Sequence, residues 1–84
     1  MTAPVKGGAL ARLAGMWCRN PDFWAFLSAR TGRPCPDASA AAALVRELCE
    51  VDSRAELDNI PAAEARFQVR IRMRFVRWMQ GVRA

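Results

Sequence analysis

Apolar positions along this chain recur at helical spacing almost from end to end. Leu10, Leu13, Ala14 and Trp17 form a first stripe, and Phe23, Phe26 and Leu27 form a second at i, i+3, i+4. Ala41, Leu44, Val45 and Leu48 repeat at i, i+3, i+4, i+7 and make the most regular stripe of all. Punctuation between the stripes agrees. Asn20 and Pro21 fit a cap and a first helical turn, Gly32 a helix end, and Asp37 or Ser39 the next cap. Arg33-Pro34-Cys35-Pro36 reads as a stiff loop, and the third helix is expected to end near Glu50. Ser53-Arg54-Ala55-Glu56 is the pattern of a capping box, followed by a short helix with Leu57 inward. Asp58-Asn59-Ile60 then links to the final segment.

That final segment admits two periods. Arg66 to Phe75 alternates polar and apolar as a half-buried strand would, yet at 100° per residue Ile60, Phe67, Ile71, Phe75, Trp78 and Val82 share one helical stripe. Pro61 in a first turn, the helix formers Ala62 to Ala65 and a closing Gly81 favour the helix. The reading is therefore an all-α single domain, a compact bundle of four to five helices with a long basic C-terminal helix. A flexible tail would occupy residues 1–8 and the helical domain residues 9–84. The expected core is Leu13, Trp17, Phe23, Leu27, Leu44, Leu48, Phe67, Ile71, Phe75 and Trp78.

Charge changes the picture because it is segregated. The chain carries a formal charge of +5, and residues 1–60 contain seven basic and seven acidic side chains, so the excess lies entirely in residues 61–84, with six Arg against Glu64. On the helical wheel Arg66, Arg70, Arg74 and Arg77 gather on one flank, while Val69, Met73 and Val76 make a second apolar strip beside it. A helix apolar on two sides is either packed from both directions or presents one side to a partner. These seven residues are the candidate partner-binding site. A charge run of this kind is also what an ordinary solvated helix face looks like.

Candidate chemistry narrows quickly. With no His, three Cys (Cys18, Cys35, Cys49) lacking close-pair spacing, and no glycine-rich phosphate loop, the sequence offers no catalytic residues, cofactor-binding residues or metal ligands. The expectation is a non-enzyme with no cofactor. Cys18 and Cys49 fall on apolar helix faces and Cys35 in the exposed loop. An odd number of Cys, no apolar run of membrane-spanning length and no signal-peptide core point to a cytoplasmic protein.

Two stretches carry a resemblance. Cys18-Arg19-Asn20-Pro21-Asp22-Phe23-Trp24-Ala25-Phe26-Leu27 and Leu48-Cys49-Glu50-Val51-Asp52-Ser53-Arg54-Ala55-Glu56-Leu57-Asp58 resemble small helical proteins encoded in phage and prophage accessory regions. These are cap-and-core patterns, so they imply a shared fold more than a shared activity. Such regions also encode stoichiometric inhibitors of host defence, including anti-CRISPR proteins, and recombination helpers. What the resemblance implies is an inhibitor in the bacterial host's cytoplasm, its Arg-rich last helix docked on a host protein or ribonucleoprotein complex with an acidic or nucleic-acid-binding surface. The alternative is a helper protein of a phage recombination or replication module that binds nucleic acid directly through the same Arg flank. A membrane-surface helix is disfavoured, since the apolar stripe is needed for the core.

Overall fold

In the computed structural model, which describes residues 8–83, the first three stripes become three α-helices whose ends are closed where the sequence marks them: α1 (Ala9–Trp17), α2 (Pro21–Thr31) and α3 (Ala38–Cys49). The Asn20 side chain accepts from the Asp22 amide at 2.9 Å, with Pro21 in the first turn of α2. Gly32 ends that helix in the left-handed region, φ 71°, where the absence of a Cβ removes the steric cost. Asp37 caps α3 by accepting from the Ala40 amide at 2.8 Å. A single 3₁₀ turn, Arg54–Asp58, follows; its capping box forms, the Glu56 carboxylate accepting from the Ser53 and Asp52 amides at 2.8 Å each.

The C-terminal segment is helical, not extended, and no strand occurs among the described residues. It is laid out as three consecutive stretches: α4 (Pro61–Arg66), a π-helical stretch (Phe67–Arg72) and α5 (Met73–Arg83). Backbone angles stay right-handed helical at both junctions. Ile60, placed in the buried stripe by the helical wheel, instead precedes α4 in an extended conformation and is exposed. Val82 lies outside the residues whose side chains are described.

Packing gathers these elements around one all-helical core. Phe23, Leu27, Leu57, Ala63, Phe67 and Ile71 have no exposed surface, and Leu10, Ala14, Phe26, Ala41, Leu44, Val45 and Phe75 join them. Leu13, Trp17, Leu48 and Trp78, expected in the core, are half-buried and pack against it. Phe75 is the hub of the aromatic contacts. Its ring meets Trp17 and Phe23 edge-on, both at 4.9 Å between centroids, and Phe26 at 5.3 Å, and stacks beside Trp78 at 6.3 Å. Cys18 and Cys49 are buried as small hydrophobes, and burial pushes the Cys49 thiol up to about 11. Cys35 is half-buried against the core, more shielded than its loop position implies.

One long-range contact closes the fold. Among the described residues no local side chain caps the start of α1, and the Asp58 carboxylate takes that place from fifty residues away. It accepts from the amides of Gly8, Leu10 and Ala11 at 2.7, 3.0 and 2.9 Å. Gly8, read with the tail from sequence, is thereby held; a Cβ there would stand 3.0 Å from Asp58 Cγ, so the close approach favours glycine. Desolvation pushes the Asp58 carboxyl up, but the three amides and Arg12 outweigh it and hold the group below its ordinary value.

Two outcomes test this packing. Phe75→Ala should cost about 3 to 5 kcal/mol, a large part of the 5 to 15 kcal/mol typical of such domains, as read by urea unfolding. Asp58→Asn should destabilise by about 1 kcal/mol at neutral pH. Because the folded-state pKa of Asp58 is depressed, its contribution is fully present above the unfolded value of about 3.9 and is lost as pH falls through the folded value. Urea curves for wild type and variant should therefore converge only in that acid range.

Candidate functional site

The basic flank divides into two pairs with different surroundings. Arg66 and Arg70 reach back to the C-terminal end of α3. Arg70 Nη1 donates to the Leu48 carbonyl at 2.8 Å and Arg66 Nη1 to the Cys49 carbonyl at 3.3 Å. Both also pair with Glu50, Arg70 at 2.9 Å and Arg66 at 3.4 Å. This arrangement satisfies carbonyls that a helix end leaves unpaired and sets two cations at the negative end of the α3 dipole. It also surrounds a strained residue. Glu50 ends α3 with φ 59°, a left-handed conformation uncommon for a side chain other than Gly or Asn. The hydrogen bond from Arg70 and the charge of Arg66 hold the Glu50 carboxyl below its ordinary range.

Arg74 and Arg77 have no such ties. No carboxylate lies within 4.0 Å of either among the described residues, and the same holds for Arg72. Arg74 and Arg77 instead line an open groove of about 320 Å³ between α2 and α5, with Phe26, Ala29, Arg30 and Trp78. Arg30 comes from the electrically balanced part of the chain, so counting charge along the sequence misses it. Its position in the last turn of a helix whose Phe26 face packs on the C-terminal segment is the signal that could have revealed it.

The second apolar strip faces solvent. Val69, Met73 and Val76 are 56%, 59% and 46% exposed, so the C-terminal segment is not packed from both directions. Val76 continues the strip into a shallow depression with Trp17 and Met79, while Met73 and Val76 border another with Arg72 and Arg77. The structure thus brings Met73, Val76, Arg72 and Arg77 together. Arg66 and Arg70 are directed to the end of α3.

Among the described residues no group of His, Cys, Asp and Glu is arranged to hold a metal ion, and no helix is long and apolar enough to cross a membrane. No family model, curated protein or solved structure matches the chain.

The division of the flank has a direct consequence for stability. Arg70→Ala should destabilise by about 1 kcal/mol by removing a helix-end partner. Arg74→Ala and Arg77→Ala should each stay within about 0.5 kcal/mol of wild type. Thermal or urea unfolding of the three variants reads the difference.

Proposed function

We propose that this protein is a non-enzymatic, phage-encoded binding protein that inhibits a host nucleic-acid-targeting defence complex by docking on it through the C-terminal segment. In this reading Pro61–Arg83 acts as one continuous basic helical arm. The observation that carries it is the strip Val69, Met73 and Val76, exposed on a folded chain beside cations without carboxylate partners among the described residues. A contiguous row of large apolar side chains bordered by Arg has the make-up of a protein interface, in which Met, Trp and Arg are enriched. The inhibitor class and the phage origin rest on the resemblance of the Cys18–Leu27 and Leu48–Asp58 stretches. The non-enzymatic reading rests on the lack of His and of any nucleophile with a base beside it in the sequence.

Partner capture from a bacterial host lysate, with and without nuclease, tests the proposal. Wild type should retain a partner that survives nuclease treatment. The double variant Met73→Ser, Val76→Ser should lose it while its circular dichroism and unfolding midpoint stay close to wild type. Were the isolated protein to bind naked duplex instead, with log affinity falling steeply against log salt, direct phosphate binding would replace the docking reading.

A further inference from the structure

The groove between α2 and α5 combines two features that a solvated surface rarely brings together. Its floor is apolar and its rim is cationic. Phe26 is 3% exposed, and the half-buried Trp78 meets it edge-on at 6.0 Å while lying nearly parallel to Phe75 at 6.3 Å. The floor is therefore fixed by the core beneath it, and little ordering is required when a ligand arrives. Around it stand Arg30, Arg74 and Arg77, none with a carboxylate within 4.0 Å among the described residues. Elsewhere on the molecule Arg33, Arg66 and Arg70 have acidic partners, whereas this hollow gathers three arginines that have none within 4.0 Å among the described residues. Three guanidiniums around an apolar floor repel one another until an anion joins them.

We propose that this groove is a receptor for an acidic peptide segment of a partner protein: one apolar side chain seats on Phe26, Ala29 and Trp78, and flanking carboxylates pair with Arg30, Arg74 and Arg77. The proposal deepens the docking reading and rests on it for the occupant being protein. Planar guanidiniums accept carboxylates in paired hydrogen bonds, which suits carboxylates placed on either side of a seated anchor. The volume, about 320 Å³, is at the low end of ligand sites and leaves room for one anchoring side chain. Charge complementarity selects the acidic segment. Nucleic acid fits less well, because single-strand binders stack successive bases on a row of aromatic faces. Here one indole lines the groove, and one of its faces is covered by Phe75. Arg30 is the residue that distinguishes this site from the apolar strip, since it stands on α2 and the strip lies wholly in the C-terminal segment.

The test is a fluorescence titration of the full chain with a short synthetic peptide bearing a central Leu flanked on both sides by Asp and Glu. The peptide carries no Trp, so a saturable change in emission arises from the protein's three indoles, Trp17, Trp24 and Trp78, and its loss in Trp78→Phe assigns it to the one lining the groove. Replacing Leu by Ala in the peptide should weaken binding about tenfold or more. Replacing its acidic residues by Lys should abolish it, as should Arg30→Glu in a protein of unchanged circular dichroism. Added salt should weaken binding progressively. The proposal is overturned if no saturable change occurs, if the Ala or Lys peptides bind as well as the parent, or if Arg30→Glu titrates like wild type. Tighter binding of a single-stranded oligonucleotide that displaces the peptide would also overturn it, assigning the groove to nucleic acid. Lysate capture separates the two readings. If Arg30→Glu keeps a partner that Met73→Ser, Val76→Ser loses, the groove assignment fails and the docking strip stands. If the peptide titrates as expected and the strip variant still captures its partner, the strip fails and the groove stands.

Discussion

A four-residue spacing governs the C-terminal segment and, through it, the surface. Ala63, Phe67, Ile71 and Phe75 are all buried, and all four must face the same core. In an α-helix of 3.6 residues per turn each such step advances about 40° too far, so three steps swing the stripe through about a third of the circumference. The π-helical stretch over Phe67–Arg72 takes more residues per turn and returns the later members toward the core. The aromatic hub at Phe75 depends on that correction. So do the outer rows: Arg66, Arg70 and Arg74 share one four-residue spacing, and Val69, Met73 and Arg77 share the next. The core requirement, acting on the period of the helix, thus decides where the exposed apolar strip and the free cations emerge.

Helix ends supply the second constraint, and they are answered from a distance. Among the described residues α1 begins without a local side-chain cap, and α3 ends on a left-handed Glu50. Asp58 serves the first and Arg66 with Arg70 the second, so the stretch from Asp58 to Arg70 is fastened to two helices by charge-assisted hydrogen bonds. Leu57 and Ala63, buried within or beside the same stretch, add apolar contact where the caps fix orientation. No buried side-chain nitrogen or oxygen is left without a partner among the described residues. The polar contacts therefore specify how the helices meet, and the hydrophobic contacts supply most of the driving force.

What was legible in the sequence follows from the range of each interaction. Local signals read well: Asn20, Gly32, Asp37 and the Ser53–Glu56 box all mark the helix boundaries found in the structure. Each acts within four residues, so the chain itself holds the information. Asp58 reads as linker in the sequence because its three donors lie across the fold, although the lack of a cap residue before Ala9 points to the need for one. Ile60 leaves the buried stripe because the helical period does not extend back past Pro61, where the helix begins. The π-helical stretch carries no local sequence signal, yet the four-residue repeat from Ala63 to Phe75 encodes the need for it. Of the seven candidate site residues, Val69, Met73 and Val76 present their side chains to solvent, and Arg74 and Arg77 do so beside the groove. The charge that marks Arg66 and Arg70 in the sequence is the same charge that draws them to the end of α3.

Charge counted along a sequence and charge available on a surface are different quantities in this protein. The last segment holds the entire formal excess, yet two of its arginines are committed to Glu50 and the α3 carbonyls. The first sixty residues sum to zero, yet Arg30 has no carboxylate within 4.0 Å among the described residues and joins Arg74 and Arg77. Folding pairs two of the segment's cations at the end of α3, and three of the arginines without a carboxylate within 4.0 Å among the described residues gather where α2 meets α5. At that junction the apolar side chains below are part of the core and cannot be exchanged for polar ones without loss of packing. A cationic rim over an apolar floor is therefore fixed jointly by core packing and by the lack, among the described residues, of a carboxylate within 4.0 Å of Arg30, Arg74 or Arg77. Selectivity for an anion with an apolar part follows from those two conditions together, since either one alone would admit any anion or any hydrophobe.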